Sequence, residues 1–144
     1  MTALLKVMAI ATAMAIVGTL IPFGVRERNW HWLPGFAPKV ILASNIFWLS
    51  AALMFRRKPV PLKWALELGA ASPFLGAVLL GLLFPRALLG SYPGQPPESL
   101  AATLVKGIMV YLAGVASWFW IFMPVGMVTA YLVYKTQRRK ARPA

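Results

Sequence analysis

The chain has 144 residues, of which 60% are hydrophobic and only 12% are charged, and its mean hydropathy is +0.70. Soluble domains carry roughly 25% charged residues, so this composition predicts an integral membrane protein. The 15 Lys and Arg against 3 acids give a net charge of +12. These basic residues flank apolar runs, which argues against a nucleic-acid partner. The absence of cysteine excludes disulfides, thiolate catalysis, iron–sulfur clusters and thiolate zinc sites.

Four apolar stretches predict a single all-α membrane domain over residues 1–144, an antiparallel bundle of four transmembrane helices with short loops. A span needs about 20 apolar residues, and the stretches cover about 3–24, 38–56, 61–84 and 104–134. Pro38 and Pro61 stand where a proline commonly opens a helix. The fourth stretch is too short for two crossings and predicts one long helix, kinked near Pro124.

The first stretch has two features of a signal peptide, namely Lys6 and several A-x-A triplets between Ala9 and Ala15. These triplets lie inside the apolar run, which continues to Phe23 without a polar segment before a cleavage site. We therefore expect the first stretch to be retained as a span.

Basic residues predict the orientation. Ten fall on the side that holds Lys6, the 56–63 loop and the 135–144 tail, against five on the other side. The positive-inside rule then places both termini in the cytoplasm, as an even number of spans requires. The predicted location is a bacterial inner or intracytoplasmic membrane.

Glu67 is the only acid in a long apolar run. It lies about 9 Å into a helix that begins at Pro61, and Lys63 is on the same face four residues earlier. This position predicts an ion pair at the cytoplasmic boundary or a contact between subunits. The alternative is a proton- or cation-handling role.

Small residues follow Glu67 on two sides of the same predicted helix. Such residues let helices approach closely in membranes, so we predict that this helix packs centrally, with protein neighbours on both sides. Pro73 removes the hydrogen bond to Gly69 and predicts a bend. One side carries Gly69, Ser72 and Gly76, and the other carries Ala70, Ala77 and Gly81.

Asn45 is the clearest polar residue in the middle of a span, and it predicts a hydrogen bond to a neighbouring helix. A ligand or quinone contact is the alternative. His31 lies between Trp30 and Trp32, which predicts an aromatic anchor at the outer boundary. The alternative for His31 is an axial ligand to a haem or chlorophyll.

Trp118 and Trp120 belong to an aromatic run that predicts either an interfacial belt or contact with a large partner or ligand. No cofactor follows with certainty from these residues. The candidates are a lipid, a quinone, a carotenoid or a chlorophyll shared with partner subunits. The basic tail predicts contact with anionic lipid headgroups on the cytoplasmic side, or with an acidic partner. Its contact residues are Arg138, Arg139, Lys140 and Arg142.

The chain has no Ser–His–Asp set, no pair of carboxylates within a span and no phosphate-binding glycine loop, so we expect no catalytic activity and no metal site. The predicted function is that of a small non-catalytic subunit that packs against, stabilises or helps assemble a larger membrane complex, for example a respiratory or photosynthetic one. The alternative is a small homo-oligomeric transporter or channel that uses Glu67 and Asn45.

Overall fold

The computed structural model describes residues 2–22, 33–57, 60–85 and 99–138, and all regular secondary structure in these ranges is helical. Four helices are long and apolar enough to cross a membrane, which confirms the predicted class of all-helical membrane protein. The five helices are α1 (Ala3–Thr19), α2 (Leu33–Arg57), α3 (Leu62–Leu83), α4 (Leu100–Ser117) and α5 (Phe119–Arg138).

Helix α1 begins at a polar cap, since the Thr2 hydroxyl accepts a hydrogen bond from the Leu5 amide at 3.4 Å. Ser99 caps α4 in the same way, through the Ala102 amide at 3.2 Å. Each cap satisfies one of the amides that a helix leaves unpaired at its start. Pro61 occupies the position just before α3. This helix therefore begins one residue after the predicted start at 61, and it ends one residue before the predicted end at 84.

Helix α2 begins earlier than the sequence predicted. Pro38 lies inside the helix, and Pro34 occupies its first turn, where a missing amide costs no hydrogen bond. The additional turn carries Phe36, whose ring stacks on Tyr111 with centroids 6.2 Å apart. We attribute the earlier start to this contact with α4, which the local sequence does not reveal.

The fourth apolar stretch is not one helix kinked at Pro124. Helix α4 ends before Trp118, whose backbone (φ −123°, ψ 19°) leaves the helical conformation, while Pro124 lies within α5. The Trp118 amide closes the last turn of α4 on the Val115 carbonyl at 3.1 Å, and the Trp118 carbonyl accepts the first bond of α5 from Ile121 at 2.9 Å. Helices α4 and α5 thus follow each other with only Trp118 between them, and we call the two together the α4–α5 arm.

Helix α3 contacts both halves of this arm, as well as α2, while α1 packs mainly on α2 and α5. The first half of α3 meets α5 where Gly69 faces Gly126, which we call the α5 crossing. Its second half meets α4 where Gly81 faces Ile108, which we call the α4 crossing. The order of these contacts shows that the arm runs opposite to α3.

The number of residues between the two crossings differs between α3 and the α4–α5 arm. Twelve residues separate Gly69 from Gly81 on α3, whereas eighteen separate Ile108 from Gly126 on the arm. At 1.5 Å per helical residue these spacings correspond to about 18 Å and 27 Å. The arm therefore bows away from α3 between its two contacts, and Trp118 lies within the bowed part.

Two buried apolar clusters lie on either side of this region. One joins α1, α2, α3 and α5 around Val7, Trp48, Ala65 and Val133. The other joins α2, α3 and α4 around residues that include Phe36, Ala77, Leu80 and Tyr111. The packed interior is thus divided in two along the length of the helices.

Candidate functional site

A cavity of about 410 Å³ lies between the two clusters, and all five helices contribute to its wall. Ligand pockets commonly have volumes of about 300–1,000 Å³, so its size suits a small organic molecule. Among the described residues, six aromatic side chains line it: Phe36, Phe47, Trp48, Tyr111, Trp118 and Phe122. No charged residue lies among the described residues of the wall.

The hydroxyl groups around the cavity already donate hydrogen bonds to main-chain carbonyls. The Thr19 hydroxyl bonds to the Ala15 carbonyl, and the Tyr111 hydroxyl bonds to the Phe84 carbonyl at 3.2 Å. Four further hydroxyls do the same at 2.7–3.3 Å, namely those of Ser44, Ser72, Ser117 and Thr129. With their protons engaged, these groups leave the cavity predominantly apolar.

Ser72 has a specific structural task at the cavity wall. Pro73 has no amide hydrogen, so the Gly69 carbonyl loses its usual helical donor. The Ser72 hydroxyl donates to that carbonyl at 2.7 Å, which replaces the missing bond in the way that hydroxyls do in membrane helices. The predicted loss of the bond to Gly69 is therefore offset by the neighbouring side chain.

At the two crossings, which lie beside the cavity, the helices approach each other closely. A Cβ atom added at Gly69 would lie 2.6 Å from the Cβ of Ala130, and one added at Gly81 would lie 2.6 Å from the Cα of Ile108. Gly76 is different, because nothing lies within 4 Å of such an atom, and the residue lines the cavity. Of the glycines predicted for helix packing, Gly69 and Gly81 face another helix and Gly76 faces the cavity.

Asn45 lies at the contact between α1 and α2, outside the cavity wall. Its side-chain amide donates to the Thr12 hydroxyl and to the Ile41 carbonyl, both at 2.9 Å. The neighbouring Ser44 hydroxyl reaches the Ala11 carbonyl at 3.3 Å. Sequence reasoning missed Thr12, although its position on α1 in an otherwise apolar segment marks it as a candidate partner.

Glu67 faces away from the cavity, on the outer surface of α3. Its carboxylate lies 3.9 Å from the Lys63 ammonium, and the two side chains are 59% and 84% exposed. Trp64, beside Lys63, is also exposed. The structure therefore brings Lys63 and Glu67 together but separates both of them from Asn45.

Trp118 and Trp120 stack with ring centroids 6.1 Å apart. Trp118 is half-buried and lines the cavity, whereas Trp120 is exposed. On the tail, the Arg138 guanidinium lies 5.0 Å from the centroid of the Tyr134 ring. His31, Arg139, Lys140 and Arg142 lie outside the described residues.

No group of three or more metal-ligating side chains occurs in the part of the chain that the structure describes. The same residues include one acid, Glu67. The chemistry of the described interior is thus that of an apolar cavity with tight helix crossings beside it. No protein family, curated protein or solved structure matches this chain.

Proposed function

We propose that this chain is a small non-catalytic subunit of a larger membrane assembly, which it packs against, stabilises or helps to assemble. The observation that carries the proposal is the outward position of Glu67 on α3. A carboxylate on an apolar helix is costly unless it finds water or a polar neighbour. The Lys63 ammonium, at 3.9 Å on an exposed side chain, is only a loose partner.

An exposed ion pair of this kind contributes little to the stability of the chain itself. If a partner protein buried this ion pair away from water, the strength of binding would depend strongly on the hydrogen-bond partners and the geometry of the two charges. The exposed Trp64 beside it adds a large side chain of a type that is enriched in interface cores. Lys63, Trp64 and Glu67 together form the outer patch of α3, which we propose as the contact with the assembly.

The proposed arrangement in the membrane is an antiparallel four-span bundle with the α4–α5 arm as its last span. Both termini lie in the cytoplasm, with the membrane being a bacterial inner or intracytoplasmic one. The ratio of ten to five basic residues supports this orientation. The basic tail then meets anionic headgroups on the cytoplasmic side.

The alternative, a homo-oligomeric transporter or channel, needs a polar path. Glu67 is on the outer surface, and Asn45 is engaged with Thr12 and lies outside the cavity wall. A path through Glu67 would therefore have to run between copies of the chain. Asn45 would not join that path without breaking its bonds to α1 and to its own helix.

Purification from the native membrane in mild detergent, followed by mass spectrometry of the co-eluting proteins, tests the proposal. We expect stoichiometric co-elution with larger membrane proteins. Glu67→Gln should reduce this co-elution severalfold, because it removes the charge from the outer patch. Arg56→Gln is the matched control, since Arg56 is an exposed charged residue on another helix, and it should co-elute normally.

Elution of the wild-type chain only with copies of itself would refute the subunit proposal. Proton flux through liposomes would then test the transporter alternative. Normal co-elution of Glu67→Gln would remove the outer patch of α3 as the contact.

A further inference from the structure

We propose that the cavity between the two apolar clusters binds a neutral, planar ring that carries a carbonyl group, as in a membrane-soluble quinone. The cavity has the volume of a small-molecule site, about 410 Å³. This assignment does not depend on the outer patch of α3, because the cavity belongs to the single chain.

The wall excludes ionic ligands and favours a flat one. Because no charged side chain lines the described wall, a charged headgroup would lose its hydration without a compensating partner. The aromatic side chains come from several helices, including Phe47 on α2, Tyr111 on α4 and Phe122 on α5. Such rings pack well against the face or edge of another planar ring.

The indole N–H of Trp48 is the polar group that would donate a hydrogen bond to the ligand. Trp48 lines the cavity, it is only 4% exposed, and its indole N–H has no hydrogen-bond acceptor among the described residues. An indole N–H in an apolar interior normally finds an acceptor. The surrounding hydroxyls already donate to carbonyls, so the Trp48 N–H is a donor available to a ligand. A ring carbonyl provides the matching acceptor.

A route from the membrane exists along α4. Helices α2 and α4 both line the cavity, and their backbones hardly approach each other, although Phe36 and Tyr111 form a side-chain contact between them. Val110 and Gly114, on α4, are exposed and also line the cavity. A hydrocarbon tail attached to the ring can leave between α2 and α4. An ordinary phospholipid acyl chain fits the apolar wall, but its hydrocarbon offers no acceptor to Trp48.

Tryptophan fluorescence of the purified full-length chain, in whichever assembly it is obtained, provides the test. The probe is a benzoquinone that carries a decyl chain, which quenches nearby indoles. We expect saturable quenching by this probe. Decanol, which has the same chain without the ring, should compete poorly with it.

Gly76→Leu should weaken binding at least tenfold, because the new side chain occupies the cavity while its Cβ meets no atom within 4 Å. Gly35→Leu is the matched control. Its Cβ also meets nothing within 4 Å, but Gly35 does not line the cavity, so binding should match the wild type. Trp48→Phe keeps an aromatic ring and removes the N–H donor, and it should weaken binding roughly tenfold, equivalent to about 1.4 kcal/mol.

Gly114→Leu serves the same purpose if Gly76→Leu does not fold, since the position is also open. Wild-type protein without saturable quenching would overturn the proposal. So would unchanged affinity in a folded cavity-filling variant. Unchanged affinity in Trp48→Phe, or equal competition by decanol, would refute the carbonyl-bearing ring and identify an acyl-chain site.

Discussion

Gly126 and Gly114 lie on the same arm, yet their surroundings are opposite. An atom added at Gly126 would collide with the Gly69 carbonyl and would lie 2.6 Å from the Ser72 hydroxyl, whereas one added at Gly114 would meet nothing within 4 Å. On α3, Gly69 and Gly76 show the same contrast. Glycine therefore serves two purposes here, since it permits close helix contact at the crossings and leaves space at the cavity.

The largest expected effect concerns Gly126, at the α5 crossing, where the two helices are in close contact. Gly126→Ala should lower the stability of the protein by about 1–3 kcal/mol, because the methyl group forces α5 away from the α3 backbone. That loss corresponds to a decrease in Tm of several degrees for a chain of this size. Thermal unfolding in detergent measures it.

Gly114→Ala is the control for that measurement, since the added methyl group meets no atom within 4 Å. Its Tm should remain close to the wild-type value. Equal destabilisation by the two variants would contradict the distinction between crossing and cavity glycines.

Ser72→Ala should have the next largest effect, a loss of about 1–2 kcal/mol, because it leaves the buried Gly69 carbonyl without its hydroxyl donor. Pro73→Ala in the same chain restores an amide donor for that carbonyl. The double variant should therefore recover most of the loss in Tm. A purely additive double-variant cycle would show that the hydroxyl does not substitute for the missing amide.

The polar contact between α1 and α2 should contribute less than the glycine crossings. Asn45→Ala removes the bond to Thr12, and interhelical hydrogen bonds in membrane proteins average about 0.6 kcal/mol. A cycle with Thr12→Val, followed by thermal unfolding, should give a coupling energy of about that size. Zero coupling would show that the bond between the two side chains adds no stability.

The smallest expected effect concerns Gly76→Ala. We expect a change in stability below about 0.5 kcal/mol, in the range of an ordinary neutral substitution, because the added Cβ atom meets no atom within 4 Å. A decrease in Tm as large as that of Gly126→Ala would mean that the space beside Gly76 is filled by protein.

The sequence predicted the elements that depend on local patterns. Apolar length identified the membrane helices, and Pro61 located the start of α3 to within one residue. Spacing of four residues placed Lys63 beside Glu67, as the 3.9 Å separation shows. These features need only the periodicity and length of one helix.

The sequence marked Gly69, Gly81 and Asn45 for contacts between helices, but which residues meet across those contacts was not accessible. Pro124 was the visible helix breaker, but the arm breaks at Trp118, between its two contacts with α3. Phe36 belongs to α2, and its ring contacts Tyr111 from α4, distant in sequence. The cavity was not predicted at all, because its walls come from five helices and no short pattern specifies the distance between them.

The unequal spacing of the two crossings has a consequence for chain length. Side-chain size alone does not create the cavity, because the arm has about six residues more than α3 between the same two contacts. We therefore expect insertions and deletions near Trp118 to change the site more than substitutions do. We expect a relative lacking those additional residues to have a straighter arm and a smaller space for a ligand.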